Sequence, residues 1–319
     1  MACGGGDGAP STSSSEAASG ESTTSAGEEA TTASSEASSS GSEAESDSTD
    51  ATSATDATSS SSEESSSTES TDTTSDSSTT GVMGCEGGPA IDVLWIGNSY
   101  TYGNDLPGLV EDIACSAGYV VQHQSATAGG YTFGSHLNDV NTHNAIASQA
   151  WDYVVLQNQS QIPGFPASQV MTQSLPNAVG LVDLIEANDP ETQVLYFQTW
   201  GRRDGDQQNC AAHPPVCTFE GHTEQLAQGY GIYQAETGGT VVPVGYAWRD
   251  AVADPDATFD TQQLWSGDGS HATLHGSYLT AAAFFKALYG ESPEGLAFPD
   301  SMPEADAAFL QGIAAAALP

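Results

Sequence analysis

Five short segments between residues 91 and 246 read as β-strands, and most of them are mainly apolar. They are IDVLWIG, YVVQHQSA, WDYVVLQ, TQVLYFQTW and TVVPVGY, at 91–97, 119–126, 151–157, 192–200 and 240–246. Amphipathic segments read as helices at 105–118, 136–149, 175–188, 218–238 and 272–290, with Thr218 as a candidate N-cap and Gly290 as a terminator. Near-continuous apolar strands that alternate with helices are typical of a parallel sheet covered on both faces. We therefore predict an α/β domain, with three α/β/α layers around a five-stranded parallel sheet.

Residues 1–90 have a different composition. They consist mainly of Ser, Thr, Glu, Ala and Gly, hold 17 of the 42 acidic residues of the chain, and contain no Lys, Arg or aromatic residue. Such a segment cannot bury enough apolar surface to offset the entropy lost on ordering. We predict a disordered acidic tether over 1–90 and one globular domain over 91–319. An acidic transactivator or a mucin-like stalk has a similar composition.

The predicted domain is also strongly acidic. It contains the 25 remaining acidic residues and four basic ones, which are Arg202, Arg203, Arg249 and Lys286. A formal charge of about −21 argues against a nucleic-acid partner, because binding to phosphates relies on Lys and Arg. The same balance disfavours polyanionic substrates and anionic membrane surfaces. Neutral small molecules and carbohydrates are the partners that this surface favours.

The N-terminal sequence MACGGG resembles the end of a bacterial lipoprotein signal peptide, in which Cys3 would carry the lipid. The apolar segment that normally precedes such a cysteine is missing, and with Met1 as the true start Cys3 would be an N-terminal thiol. No run of 18 apolar residues occurs, so this lipid is the one membrane contact that we expect. Export to the cell envelope, or secretion, is the predicted location.

The number of cysteines fits an exported protein. Without Cys3 four cysteines remain, and they allow three pairings. Cys210 and Cys217, close together in the loop NCAAHPPVC, form the natural pair. Cys85 and Cys115 would then join the entry of the domain to its first helix. A zinc site is disfavoured because no C-x2-C spacing occurs.

The residues just after the strands are informative, because ligands of open parallel sheets bind beyond the carboxyl ends of the strands. Ser99 follows the first strand, two residues after Gly97. At a strand-to-helix turn its hydroxyl can be exposed, and helix amides are available to a developing oxyanion. Serine beside Asn and Gly is common in plain structural turns, which is the favoured interpretation on this signal alone. The usual G-x-S-x-G pattern is absent, since Thr101 stands where the second glycine would be.

A serine nucleophile needs a base, and the base needs an orienting carboxylate. Among the seven histidines, His271 is distinguished by Asp268, which lies three residues earlier in a Gly-rich turn. This spacing allows Asp268 to bond one imidazole nitrogen while the other faces Ser99. In the structural interpretation Asp268 is a helix cap and His271 is an exposed helix residue.

Together these blocks resemble the SGNH (GDSL-type) hydrolases, in particular a bacterial branch of them, over about residues 91–290. GNSYT matches the serine block, with Asn98 where the family more often has Asp, and DGSH matches the D-x-x-H block in full. The resemblance implies a flavodoxin-like fold, Ser99 as nucleophile, His271 as general base and Asp268 as its orienting carboxylate. It implies neither a metal nor an organic cofactor.

The same resemblance implies further donors to the oxyanion. Gly130 of AGGYTF fits the glycine block of the family, with Gly129 as the alternative. The G-x-N-D block of the family is absent here. Aligned on the strand end, Gln159 of QNQSQ takes the position of its Asn, with Asn158 as the other candidate. A Gln amide is also a donor, one methylene longer, so the role can survive with a shifted backbone.

Several neighbouring residues have both a functional and a structural interpretation. His271 and His275 have the H-x-x-x-H spacing of a zinc pair, but Ala272 stands where such a site needs Glu. Arg202 and Arg203 could bind an anionic group of the substrate, although a structural ion pair is the favoured role on so acidic a surface. Four aromatic residues near strand ends could stack on sugars but belong by default to the core: Tyr100, Tyr131, Trp200 and Trp248.

The sequence thus predicts a serine esterase that hydrolyses a carboxylic ester through an acyl-enzyme. The expected substrate is an ester of a short acyl group, such as an acetyl group on a polysaccharide. Two alternatives remain: an acyltransferase that uses the same three residues, and a surface carbohydrate-binding protein that keeps the fold without catalysis. The esterase requires Ser99 and His271 to meet at one edge of the sheet.

Overall fold

The computed structural model describes Cys85 and residues 88–317. The lipid site at Cys3, and all of the tether predicted over 1–90 apart from Cys85 and residues 88–90, lie outside the described residues. Five parallel strands form one sheet in the order β2-β1-β3-β4-β5. They are β1 (Ala90–Gly97), β2 (Val120–Thr127), β3 (Tyr153–Leu156), β4 (Gln193–Phe197) and β5 (Thr240–Val242). The predicted α/β class and the five-stranded parallel sheet are confirmed.

Helices cover both faces of this sheet and complete a three-layer α/β/α structure. Two single-turn helices, α1 (Ser99–Tyr102) and α5 (Ala167–Gln169), lie in strand-to-helix connections. One layer consists of α2 (Leu106–Ser116), α8 (Val244–Ala253), α9 (Leu274–Tyr289) and α10 (Glu304–Ala317). The opposite layer consists of α3 (Phe133–Leu137), α4 (Val140–Ile146), α6 (Leu175–Asn188) and α7 (Phe219–Thr237). Within the described part of the chain, no helix has the length and apolarity to span a membrane.

The central strand β1 shows why the sheet needs two helical layers. Val93 and Trp95 pack on the side of α9, Leu94 and Ile96 pack on the opposite side, and all four side chains are fully buried. Successive side chains of a strand point to opposite faces, so an unbroken apolar run must be covered on both. Burial of each aliphatic side chain stabilises the fold by roughly 1.5–3 kcal/mol.

The helix predicted over 136–149 is in fact two shorter helices. α3 ends at Leu137 and α4 begins at Val140. Between them Asp139 has an extended backbone, and its side chain accepts a hydrogen bond from the Asn141 N–H at 3.2 Å. Because an N-cap residue lies outside helical φ/ψ space, Asp139 starts the second helix and at the same time interrupts the first.

The strand predicted over 240–246 stops at Val242. Pro243 follows, has no N–H to donate to a neighbouring strand, and leads directly into α8. In the first turn of α8, a Cβ on Gly245 would collide with the Gln198 side chain and the Thr199 carbonyl at the end of β4. The early turn into α8 therefore depends on the close approach of Gly245 to the segment after β4. The apolar pattern of the sequence does not reveal this approach.

The helix predicted over 272–290 begins slightly later, at Leu274, and ends at Gly290, whose φ of 70° is left-handed. A further helix, α10, lies outside the elements that the apolar pattern predicts. Its residue Leu310 is fully buried in the same cluster as the apolar face of α9. The C-terminal segment is therefore part of the core layer on that side of the sheet.

Both predicted disulfides are present, Cys85–Cys115 and Cys210–Cys217, with sequence separations of 30 and 7. The first joins the segment ahead of β1 to α2, and the second closes the loop that precedes α7. Thr218 caps α7, as predicted, by accepting a hydrogen bond from an amide of its first turn at 3.1 Å. The covalent links therefore fasten the chain at two places where it enters a helix or the sheet.

We expect the two disulfides to contribute unequally to stability. From the loop-closure entropy that it removes from the unfolded chain, a disulfide with a separation of 30 should stabilise the fold by about 3.5 kcal/mol, and one with a separation of 7 by about 2.5 kcal/mol. The double variant Cys85→Ser/Cys115→Ser should therefore have a lower Tm than Cys210→Ser/Cys217→Ser, measured by circular dichroism in the same buffer. A larger loss of Tm in the second variant would contradict this ranking.

Candidate active site

The serine turn begins at the end of β1, where the backbone passes very close to its neighbours. A Cβ on Gly97 would collide with the Thr101 hydroxyl, so only glycine fits there. Asn98 follows with an extended backbone, and its side chain accepts a hydrogen bond from the Tyr100 N–H at 3.1 Å. Asn98 thereby caps α1, and Ser99 becomes the first residue of that helix.

Ser99 and His271, 172 residues apart in the sequence, meet at this turn. Ser99 Oγ lies 2.8 Å from His271 Nε2, and His271 Nδ1 lies 2.5 Å from Asp268 Oδ2. The side chains of His271 and Asp268 are 45% and 49% exposed. The three groups form a continuous hydrogen-bonded chain that is accessible from solvent.

The ionisation of Asp268 decides the tautomer of His271. Burial alone would raise the pKa of the Asp268 carboxyl group. Hydrogen bonds from the His271 side chain and from the Ser270 and His271 amides outweigh that effect and hold the pKa well below its ordinary value. An ionised carboxylate can only accept, so Nδ1 of His271 carries the proton and Nε2 accepts from the Ser99 hydroxyl. This is the arrangement that a general base requires.

The loop 266–271 is held by Ser270. The Ser270 hydroxyl lies 2.8 Å from the Tyr100 hydroxyl, and its carbonyl accepts a hydrogen bond from Trp200 Nε1–H at 2.9 Å. Tyr100 stacks on Trp200 with ring centroids 4.7 Å apart, and Trp200 stacks on Trp248 at 4.0 Å. Burial raises the pKa of Tyr100, so its phenol stays protonated. The aromatic stack therefore positions the loop that carries His271.

The predicted oxyanion donor Gly130 lies in the loop after β2. Its φ is 71°, and a Cβ there would meet none of the described atoms within 4 Å, so the need for glycine is conformational. Asn98 ties this loop to the serine turn, because its Nδ2 donates a hydrogen bond to the Tyr131 carbonyl at 2.9 Å. An Asp at position 98 could not donate this bond, which is a physical reason for the departure from the SGNH pattern.

The other predicted donor, Gln159, contacts its near neighbour Gln161. Gln159 Oε1 accepts from the Gln161 N–H at 2.8 Å, and Gln159 Nε2 donates to Gln161 Oε1 at 3.2 Å. The side chain is half-buried. An amide nitrogen carries two N–H donors, so Gln159 can still bind a second acceptor.

The alternative donor, Asn158, is fully buried and uses both ends of its amide. Its Oδ1 accepts from the Phe133 and Gln159 amides at 3.0 and 2.9 Å. Its Nδ2 donates to the Ser174 and Tyr233 hydroxyls at 3.0 and 3.2 Å. Asn158 therefore fixes the loop after β3, and an oxyanion role would require these bonds to break.

The remaining charged candidates are placed as follows. His275 does not join His271, because its Nε2 lies 3.2 Å from Asp306 Oδ2 on α10. Arg203 pairs with the exposed Asp204 at 3.2 Å, and its backbone N–H donates to a carbonyl of the loop 266–271 at 2.9 Å. Arg202 faces a buried carboxylate at a longer distance, 3.6 Å.

Three of the four aromatic candidates, Tyr100, Trp200 and Trp248, are buried and cannot stack on a sugar. The exposed aromatic residue next to Ser99 is Tyr102, which is 48% exposed. The Tyr102 hydroxyl lies 3.5 Å from the Cβ position of Gly129, so the ring borders the loop that carries the predicted donor Gly130. Its place three residues after Ser99, the candidate nucleophile, is a sequence signal that could have identified it.

The similarity to known proteins lies in the structure. No protein-family model and no curated protein matches this sequence. A DUF4886 family protein from Bacteroides uniformis superposes with a TM-score of 0.60 and 19% identity, covering 70% of this chain and 93% of its own. A candidate SGNH hydrolase from Slackia heliotrinireducens superposes with a TM-score of 0.51 and 23% identity, covering 62% of this chain and 99% of its own. The chain has the SGNH hydrolase fold.

A buried histidine lies beneath this edge of the sheet. His222 of α7 is fully buried, and its Nδ1 accepts a hydrogen bond from the Arg202 N–H at 3.1 Å. Burial lowers the pKa of His222 to about 4, although the charge of Asp206 acts in the opposite direction. The imidazole is therefore neutral in the folded protein at neutral pH.

We expect His222 to make the protein less stable in acid. Its pKa is about 6.5 in the unfolded chain and about 4 in the folded one, so between these values the unfolded state binds more protons. As far as His222 determines it, the free energy of unfolding is highest above about pH 6.5 and falls by about 3 kcal/mol as the pH falls to about 4. Thermal melts of His222→Gln, which cannot titrate, should show a smaller loss of Tm over this range than wild type. His143→Gln, at an exposed position, is the matched control, and parallel curves for wild type and His222→Gln would refute the expectation.

Proposed function

We propose that this protein is a serine esterase that hydrolyses a carboxylic ester through an acyl-enzyme. The observation that carries the proposal is the hydrogen-bonded chain from Asp268 through His271 to Ser99, with distances of 2.5 and 2.8 Å. Proton transfer to a general base needs a separation of about 2.6–3.2 Å, so Ser99 and His271 need no rearrangement to react.

The proposed reaction has two halves. Ser99 Oγ bonds to the carbonyl carbon of the ester while its proton passes to His271 Nε2, and the carbonyl π electrons move to the oxygen. On collapse, the bond to the alcohol oxygen breaks and His271 gives its proton to that oxygen. Water then attacks the acyl-enzyme by the same route and releases the acid and Ser99. Asp268 stays ionised throughout and stabilises the imidazolium.

The developing negative charge would be stabilised by the Ser99 and Gly130 amides and by the Gln159 side chain. The Ser99 N–H lies at the start of α1, where helix amides have no intrahelical partner. The Asn98 bond to the Tyr131 carbonyl keeps the Gly130 loop beside the serine turn. Gln159 would exchange its bond to Gln161 for one to the substrate.

The surroundings of Ser99 support a carbohydrate ester with a short acyl group as substrate. The half-exposed ring of Tyr102 offers an apolar face with a polar tip. The amides of Gln159, Gln161 and Gln208 form a connected row whose donors and acceptors suit hydroxyl groups. Because the catalytic side chains are about half exposed, an ester displayed on a large molecule can reach them.

The two disulfides support a location outside the cytoplasm, because such bonds persist in oxidising compartments. We therefore propose that the enzyme is exported. Lipid attachment at Cys3 and a spacer role for the acidic segment stay predictions.

Hydrolysis of p-nitrophenyl acetate tests the catalytic roles. Ser99→Ala should lower kcat by about 10⁴-fold or more, because no nucleophile remains. Asp268→Asn should lower it by about 10³- to 10⁴-fold, because a neutral amide no longer selects the reactive tautomer of His271. Asp256→Asn, at an exposed position, is the matched control and should keep the wild-type rate. Equal rates near background for wild type and Ser99→Ala would instead favour a binding protein without catalysis.

Gln159 and Asn158 should respond differently to truncation. Gln159→Ala should lower kcat by about 10²- to 10³-fold with little change in Tm, because an oxyanion donor is lost. Asn158→Ala should lower Tm, because buried partners lose their hydrogen bonds. Gln228→Ala, on the exposed side of α7, is the control for kcat and Tm. A kcat for Gln159→Ala within about threefold of wild type would remove Gln159 from the oxyanion site.

A further inference from the structure

Arg202 presents a guanidinium group with unused hydrogen-bonding capacity at the end of β4. Its Nη1 lies 3.6 Å from Asp206 Oδ1 and its Nη2 lies 3.5 Å from Ser160 Oγ. Its buried Nε has no hydrogen-bond partner among the residues that the structure describes. Bonds between Arg and a carboxylate are normally about 2.7–2.9 Å long, and a guanidinium has five N–H donors. The two long contacts therefore leave most of this group available.

Asp206 does not depend on Arg202 for its hydrogen bonds. Its side chain is 1% exposed, and each carboxylate oxygen already accepts a short bond. Oδ1 accepts from Gln161 Nε2 at 2.8 Å, and Oδ2 accepts from Asn209 Nδ2 at 2.6 Å. The Arg202 side chain, by contrast, is 24% exposed, so it can reach a ligand from solvent without giving up a short ion pair.

Contacts connect Arg202 to the base of the candidate active site. Arg202 Nη2 contacts Ser160, and both the Ser160 hydroxyl and the charge of Arg202 act to lower the pKa of the Tyr100 hydroxyl. The same Tyr100 hydroxyl contacts Ser270, which directly precedes His271. Through Ser160 and Tyr100 the guanidinium is therefore linked to the loop on the His271 side of the candidate nucleophile.

This side is where the leaving alcohol of an ester would lie. His271 must give its proton to the alcohol oxygen, so the alcohol has to pass close to Nε2. The loop 266–271 packs on the end of β4 through the Trp200 indole, and Arg202 follows Trp200 by two residues. An alcohol group that leaves Ser99 towards His271 thus extends towards Arg202.

We infer that Arg202 binds a carboxylate on the alcohol portion of the substrate, close to the scissile ester. The inference rests on the proposed esterase function and adds a charge to its substrate class. The chain has four Lys and Arg against 42 Asp and Glu, so an anion is attracted only where one of these few cations is accessible. Repulsion from the acidic surface is screened beyond roughly 8 Å at physiological salt. A ligand with a single carboxylate is repelled less by this surface than a polyanion is.

Two acetate esters separate charge from shape. In 3-acetoxybenzoate the alcohol portion carries a carboxylate, and in 3-acetoxybenzamide it carries a neutral group of the same size. The quantity to compare is the ratio of kcat/KM for the benzoate to kcat/KM for the benzamide, because a comparison of this ratio between variants cancels intrinsic reactivity. Arg202→Gln should lower the ratio by about 10- to 100-fold, mainly through KM for the benzoate.

Two further variants complete this test. Arg202→Lys keeps the charge but loses the planar fork, so it should keep part of the preference. Arg249→Gln is the matched control, because Arg249 pairs with Asp250 at 2.8 Å on α8, and it should keep the wild-type ratio. If Arg202→Gln lowers kcat/KM for both esters by the same factor, or changes only Tm, Arg202 is a structural ion-pair residue and the inference is overturned.

Calorimetric binding of the intact esters to Ser99→Ala makes the test independent of turnover. Adding Arg202→Gln should raise the Kd of 3-acetoxybenzoate at least about tenfold and that of 3-acetoxybenzamide clearly less. Equal changes overturn the inference even when the wild-type protein is an active esterase. A selective change without any Ser99-dependent turnover supports the anion site and overturns only the esterase proposal.

Discussion

His271, the candidate general base, is carried by a loop, and the position of that loop depends on two hydrogen bonds to Ser270. The Tyr100 phenol contacts the Ser270 hydroxyl, and the Trp200 indole donates to the Ser270 carbonyl. Both rings are buried in a stack that continues to Trp248, so core packing fixes them. The loop itself is neither helix nor strand. Because it is attached to such a rigid support, it can still keep the His271 imidazole within hydrogen-bonding distance of the Ser99 hydroxyl.

Buried polar groups around the end of β1 fix the serine side of the same contact. Gln157 Oε1 accepts from the Asn98 N–H at 2.8 Å, and His136 Nε2 lies 3.0 Å from the Gly97 carbonyl oxygen. Burial lowers the pKa of His136, so it takes part in this network as a neutral donor. Because an unpaired polar group in the interior is costly, each of these bonds restricts the turn to one geometry. The direction of the Ser99 hydroxyl is therefore set by buried groups behind the turn.

The strands β1, β3 and β4 were predictable because each is mainly apolar and buried on both faces. The edge strand β2 is polar and partly exposed over most of its length. Element boundaries that depend on one residue were not predictable from the apolar pattern. Asp139 interrupts a helix that the apolar pattern joins, and Pro243 ends a strand that the same pattern continues. α10 is rich in alanine, so no stripe of large apolar residues marks its buried face in the sequence.

The sequence by itself determined the class of fold and the candidate chemistry, because strand periodicity and the spacing from Asp268 to His271 are short-range properties. Only the tertiary structure decided which polar residues remain available to a ligand. The Asn158 amide is occupied by side chains 16 and 75 residues further along the chain, whereas the Arg202 guanidinium is left with two long contacts. Whether a donor is free depends on partners that folding brings from distant segments, and no local pattern carries that information.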